Sequence, residues 1–400
     1  MSLDQYFTLG RSGLRVSRLA LGTMTFGESW GWGTDERAAR TMFDRYLAAG
    51  GNFVDTADLY TDGESETLLG KFIAGSGARD RVVLATKFSY NAEAGNPNAG
   101  GNGRKNILRA VEGSLRRLGT DYIDLYLLHT WDRITPAEEV LQTLDDLIRA
   151  GKIRYAGLSD VPAWYAAQIQ ALARASHMHG LVNLQLQYSL VERNIEREYV
   201  DLALESGYGI TAWSPLGMGL LSGKYRPSRN GADSESEGRL GLFRQGGLPA
   251  LRGKFTPRNF AIVAEVERVA RDEGISMAQV AIQWAARQPG IGSVILGART
   301  LQQFDDNLAA LDKPLSDESL RALDAVSALP LQFPYSFFDA SHQIGMNGGV
   351  GVGDKPAGYA RPVWVGAAPP PNFAPDPAAP EPQAASPVFG RTIQQEGEHP

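Results

Sequence analysis

The 400-residue chain contains no cysteine. That absence excludes disulfides, thiolate nucleophiles, Cys-ligated zinc and iron–sulfur clusters. Positive charge is not in excess either: 39 Lys and Arg stand against 45 Asp and Glu, for a net charge of -6, and no run of basic residues breaks the balance. Nucleic acid and anionic membrane surfaces both call for a basic patch, so neither is an expected partner. Long apolar runs are missing. Met1 to Ala20 carries Asp4, Arg11, Arg15 and Arg18 where a secretory leader needs an unbroken apolar core. The expectation is a protein of the reduced cytoplasm. Phosphate-binding fingerprints are lacking as well. Leu21 to Gly27 does not read Gly-x-Gly-x-x-Gly, and the glycine-rich stretches Gly95–Gly103 and Gly348–Lys355 lack the Gly-Lys-Ser/Thr ending of a P-loop. His177 and His179, two apart near a helix end, would face different sides of a helix, so no metal site is expected.

What is present is alternation. Short aliphatic or β-branched runs at Leu19–Leu21, Asn52–Asp55, Val82–Thr86, Ile123–Leu128, Ile153–Leu158, Leu181–Gln185, Gly209–Ala212 and Ser293–Leu296 read as strands. Amphipathic stretches between and after them read as helices: Asp35–Ala49, Glu64–Ile73, Lys105–Leu118, Pro136–Ala150, Pro162–Ala175, Ile195–Ser206, Asn259–Glu273 with Ser276–Arg287, and Leu301–Leu311. Eight strand–helix units in regular order predict an α/β protein, a (β/α)8 TIM barrel. Tyr6–Leu9 and Leu14–Ser17, joined by Gly10-Arg-Ser-Gly13, predict a β-hairpin plugging the lower end. The long irregular stretches Ser89–Arg104 and Ser214–Lys254 both follow strands and read as binding loops or lids. The domain expectation is a barrel over residues 1–330, a C-terminal arm packed on it over 331–365, and a disordered Pro/Ala-rich tail over 366–400.

Four polar residues stand at or just past strand ends: Asp55, Tyr60, Lys87 and His129. A parallel strand hands over to a loop at its carboxyl end, so such residues share one face, where barrel enzymes do their chemistry.

Seven motifs then resemble the aldo-keto reductase superfamily, over about residues 6 to 325: Gly51-Asn-Phe-Val-Asp-Thr-Ala-Asp-Leu-Tyr60, Thr86-Lys87, Asp121-Tyr-Ile-Asp-Leu-Tyr-Leu-Leu-His129, Gly157-Leu-Ser-Asp160, Leu184-Gln-Leu-Gln-Tyr-Ser-Leu190, Trp213-Ser-Pro-Leu-Gly217 and Gly297-Ala-Arg-Thr-Leu-Gln-Gln303. Carbonyl reduction by hydride needs a proton donor, and tyrosine, with a free pKa of about 10, is too weak an acid unless its phenolate is stabilised. Lys87 can supply that stabilisation to Tyr60, Asp55 can fix Lys87, and His129 can hydrogen-bond the carbonyl oxygen. Asp58, between Asp55 and Tyr60, is left out of the set because the resemblance places the carboxylate at Asp55.

The resemblance further implies a nicotinamide cofactor held without a Rossmann fold. Its carboxamide would meet Ser159, Asp160 and Gln185, and its ring would stack on Trp213. Its pyrophosphate would lie under the stretch from Ser214 through Leu216 and Gly217 to Lys224. Its adenosine end would meet Gly297, Arg299, Gln303 and Asn307. Many relatives carry asparagine at the place of Asp160, which accepts but cannot donate unless protonated. Arg299 favours NADP(H) over NAD(H) as the expected cofactor. Met24, Phe26, Trp30, Phe88 and Trp131, with Tyr60, are expected to rim an aromatic, mostly apolar cavity for a small-molecule carbonyl or alcohol. Two alternatives stay open: a nicotinamide-binding sensor subunit similar to the β-subunits of potassium channels, and an alcohol dehydrogenase running the same machinery in reverse. Oligomeric state is open.

Overall fold

The computed structural model describes residues 3–225, 227–228, 231–232 and 253–338, with the isolated positions 342, 345, 346 and 348. Eight parallel strands close into a barrel: β3 (Leu19–Gly22), β4 (Phe53–Asp55), β5 (Val83–Phe88), β6 (Ile123–Leu128), β7 (Ile153–Ser159), β8 (Asn183–Gln187), β9 (Gly209–Trp213) and β10 (Ile291–Leu296), which returns to pair with β3. Around it lie α1 (Glu36–Ala48), α2 (Glu64–Ser76), α3 (Arg104–Leu118), α4 (Ala137–Arg149), α5 (Ala163–Ala175), α6 (Tyr199–Ser206), α7 (Pro257–Glu273), α8 (Met277–Arg287), α9 (Leu301–Leu308) and α10 (Asp317–Ser327). Their ends follow local chemistry. Thr256 caps α7 from the residue before its Pro257, Ser276 and Gln279 close a capping box on α8, and left-handed Gly77, Gly119 and Gly274 end α2, α3 and α7.

Strand alternation divides the core in two. Inside the barrel pack Ala20, Phe53, Val83, Ala85, Leu125, Leu127 and Ile295, with Leu9 and Val16 brought in from the hairpin β1 (Tyr6–Thr8) and β2 (Arg15–Ser17). Outside, residues such as Leu84, Phe88, Tyr126 and Leu184 pack against the helices. The hairpin turn seats under β8 and β9. The Arg11 amide donates to the Gly207 carbonyl at 2.7 Å, and Gly10, at φ +59, comes so close that an added Cβ would lie 2.4 Å from the Val182 carbonyl oxygen. The lower end is therefore stoppered, as the sequence leads one to expect.

Several boundaries differ from the sequence reading. The predicted helix Ile195–Ser206 is a 3₁₀ turn at Asn194–Arg197 followed by α6, broken at Glu198 (φ -138, ψ -40). The sixth barrel strand runs Asn183–Gln187 rather than Leu181–Gln185, and β5 continues through Lys87 to Phe88. The start of the C-terminal arm lies against the α6 region, where Tyr335 Oη donates to Glu198 at 2.6 Å and Arg197 donates to Gln332 at 2.8 Å. Most of the arm beyond 338, the tail from Gly366, and 229–230 and 233–252 of the long loop after β9 lie outside the described residues.

Candidate active site

The carboxyl ends of β4, β5 and β8 bring three polar side chains into the top layer of the barrel, where the sheet register sets Asp55 opposite Ala85 and Lys87 opposite Leu127. Lys87 is wholly buried and Asp55 nearly so, and the Lys87 ammonium donates to Asp55 Oδ2 at 2.7 Å. Its other two hydrogen bonds go to the Thr56 carbonyl oxygen at 2.8 Å and to Tyr60 Oη at 3.3 Å. The second Asp55 oxygen accepts from Gln185 Nε2 at 2.7 Å, so one carboxylate is gripped from opposite sides of the barrel. Burial works to lower the Lys87 ammonium, but the charges and hydrogen bonds of Asp55 and Tyr60 outweigh it and hold the group above the ordinary lysine value. The lysine stays charged.

Tyr60 follows from the short turn after β4, where Thr61 and Asp62 adopt left-handed backbone (φ 46 and 56) before α2 begins. The turn is tied down by Thr61 Oγ1 to the Phe26 carbonyl at 2.8 Å. An ammonium has three donors and no acceptor, so Tyr60 Oη accepts from Lys87 and its own proton is left to point elsewhere.

His129 stands just past β6, its backbone amide held by the Phe88 carbonyl and Ser89 Oγ. Burial, with the Lys87 charge nearby, holds its ring well below the ordinary histidine value, so it is neutral near pH 7. Its Nδ1 is buried with no hydrogen-bond partner among the described residues. Two tyrosine rings meet the imidazole edge-on, Tyr60 at 5.9 Å and Tyr90 at 5.1 Å. Tyr90, in the loop after β5, belongs to none of the sequence motifs; its position three residues past Lys87 is the signal that points to it.

The later strands supply the other half of the mouth. Ser159 ends β7, Asp160 follows in left-handed conformation (φ 45), and Trp213 ends β9, its Nε1 donating to Asp160 Oδ1 at 3.2 Å. Asp160 is exposed to the mouth yet ringed by protein, and burial pushes its carboxyl up to about 6 against the opposing pull of Trp213 and Lys87. Beyond β9, Ser214 (φ 54) leads through Leu216 into a 3₁₀ turn in which Gly217, Met218 and Gly219 all have positive φ, and exposed Lys224 follows. After β10, Asn307 Nδ2 holds the Gly297 carbonyl at 3.2 Å and Gln303 holds the Arg299 amide at 3.1 Å. An added Cβ at Gly297 would meet nothing, and the Arg299 guanidinium forms no ion pair among the described residues. An aromatic face, a chain of turn backbone, an open glycine and a cation with no ion pair among the described residues, running from β7 round to β10, fit a flat heterocycle with a phosphate-bearing arm.

Of the predicted rim, Trp30, Met24 and Trp131 lie half-buried at the surface. Trp30 packs on Trp32 at 5.8 Å and Trp131 on Trp164 at 5.4 Å. Phe26 and Phe88 are corrected: they are 1% and 0% exposed, Phe88 packing on Tyr126 because a strand that turns Lys87 inward turns Phe88 outward, and Phe26, in the loop after β3, packing on Phe72. Asp58 also lies apart from the set, among the charges of Glu66, Arg117 and Arg109.

A closed parallel barrel with a lysine–carboxylate–tyrosine cluster at the carboxyl ends of its strands has the layout of a barrel oxidoreductase. The aldo/keto reductase family profile matches residues 18–328, and the chain belongs to that family. Similar proteins include the uncharacterized oxidoreductase YrpG of Bacillus subtilis (strain 168), 36% identical over 80% of this chain and 95% of that protein. Norsolorinic acid reductase stcV of Emericella nidulans is 33% identical over 83% and 84%, and Protein tas of Escherichia coli (strain K12) is 35% identical over 80% and 97%. The protein is an aldo-keto reductase, an oxidoreductase acting on carbonyl compounds. Among the described residues no helix is long and apolar enough to cross a membrane.

Proposed function

We propose that the chain reduces an aldehyde or ketone to the alcohol with NADPH, Tyr60 donating the proton. The observation that carries this reading is the saturated Lys87 ammonium. With its three hydrogen bonds spent on Asp55, Thr56 and Tyr60, it holds Tyr60 as an acceptor and favours the phenolate left after proton transfer. A bound nicotinamide would supply the hydride, and Trp213 offers the aromatic face to hold its ring. Ser159, Asp160 and Gln185 would orient its carboxamide, Gln185 through its oxygen because its Nε2 is committed to Asp55. Ser214, Leu216, Gly217 and Lys224 would hold the pyrophosphate, and Arg299 the 2'-phosphate. Neutral His129 donates a hydrogen bond to the carbonyl oxygen, which polarises it without competing for the Tyr60 proton. The oxygen then takes that proton, and the phenolate, paired with Lys87, is reprotonated from water once the alcohol leaves. The name of the Emericella relative, a reductase, supports this direction.

The test is cofactor absorbance with a panel of aromatic and aliphatic aldehydes and ketones, set against sugar phosphates, with NADPH and NADH in parallel. The reading expects aromatic carbonyls and NADPH to be preferred. Wide preference for sugar phosphates, or no turnover of any carbonyl, overturns it.

A further inference from the structure

We propose that a cleft between the loops following β6, β7 and β8 is a subsite for the far end of the substrate, built for a flat apolar frame that ends in an anionic oxygen such as a carboxylate or phenolate. The inference rests on the reductase reading and names its substrate class. The cleft has a volume of about 470 Å³, within the range of small-molecule sites. It opens on the same barrel face as His129 and Tyr60, because its lining residues follow the carboxyl ends of three successive strands. Asp160 belongs both to its wall and to the hydrogen bond with Trp213, which makes the cleft continuous with the nicotinamide side of the mouth.

The walls are apolar where Trp131, Pro162, Leu186 and Ile195 line them, which suits ring carbons. Two donors break that surface. Arg133, held in left-handed backbone at φ 68, keeps its guanidinium 6.0 Å from the Trp131 ring and forms no hydrogen bond or ion pair among the described residues. Gln187 has a buried side-chain nitrogen with no partner among them. Neither lining acid pairs with Arg133 among the described residues: Glu192 is engaged by Lys254 at 3.7 Å and by Asn194 at 2.7 Å, and Asp160 accepts from Trp213. A guanidinium and an amide donor lining one apolar cleft, both without a partner among the described residues, recruit an oxygen acceptor, best a charged one. A neutral ring alone would leave both donors unpaired.

The test uses the full chain with saturating NADP and two readouts. In calorimetry, the parent binds 2-naphthoate, Arg133→Ala weakens that binding at least tenfold, and Arg133→Lys recovers part of it. In kinetics, Arg133→Ala raises KM at least tenfold for 6-formyl-2-naphthoate, with kcat little changed, and leaves 2-naphthaldehyde within about twofold. Absence of 2-naphthoate binding to the parent, undiminished binding to Arg133→Ala, or equal losses on the two aldehydes overturns the subsite. Arg133-dependent 2-naphthoate binding by a parent that reduces neither aldehyde would uphold the cleft and sink the reductase reading instead. Arg133 is exposed, so its replacement does not endanger the fold.

Discussion

Lys87 and Asp55 form the pair on which the site depends, and both are out of water. Lys87→Met leaves the carboxylate buried with only Gln185 to satisfy it. The expected cost is about 3–5 kcal/mol of stability, the range for breaking a buried pair from one side. Turnover should fall by roughly two orders of magnitude, since Tyr60 loses its partner. Urea denaturation and steady-state kinetics on the same preparation check both. Asp58 makes the opposite prediction. Burial first, then Glu66, pushes its carboxyl up to about 7 against Arg117 and Arg109. A carboxyl raised in the folded chain ionises first in the unfolded one, so stability is lost as pH rises from the unfolded value, about 3.9, through the folded value. Asp58→Asn should therefore stabilise the protein at pH 8, by roughly 2–4 kcal/mol at about 1.4 kcal/mol per unit, and have little effect at pH 4. Equal effects at the two values in urea melts would contradict this assignment.

At the level of elements, the hairpin stopper is testable at Gly10. Both its positive φ and the 2.4 Å approach to Val182 forbid a side chain. Gly10→Ala should lower the unfolding free energy measured in urea by about 1–3 kcal/mol while leaving turnover per folded molecule intact, because the hairpin touches the barrel end opposite the site. The same elements show what could be read without coordinates. Short aliphatic or β-branched runs alternating with amphipathic stretches identified the barrel, and polar residues at strand ends gathered Asp55, Tyr60, Lys87 and His129, since those signals are local. Phe88 lies on the outer face because strand alternation from inward Lys87 turns it there, and Phe26 lies in the loop after β3, where its packing on Phe72 is a tertiary contact without a local sequence signal. The Gln185–Asp55 bond spans 130 positions of sequence, and no local pattern announces so distant a partner. Tyr90 and Arg133 sit in loops, where periodicity carries no signal, and the break at Glu198 falls in a stretch with no Gly or Pro to mark it.

For the molecule as a whole, a nicotinamide cofactor is proposed to lie across the mouth from β7 to β10. Binding to the folded chain alone raises stability by mass action, about 2.7 kcal/mol at a hundredfold excess over Kd. NADPH should therefore raise the Tm of the parent. The shift should shrink for Trp213→Ala, and in Arg299→Ala the shifts with NADPH and NADH should become alike; differential scanning fluorimetry with each nucleotide reads this directly. An Arg299→Ala protein that still prefers NADPH would move the 2'-phosphate contact elsewhere. The central claim remains the proton on Tyr60. It is tested most directly by measuring kcat and the NADPH Kd side by side for the parent and Tyr60→Phe on one good aldehyde. The account predicts that kcat falls at least about a hundredfold while Kd stays within about twofold, the loss of a general acid without loss of the binding site. Near-normal turnover in Tyr60→Phe would contradict it.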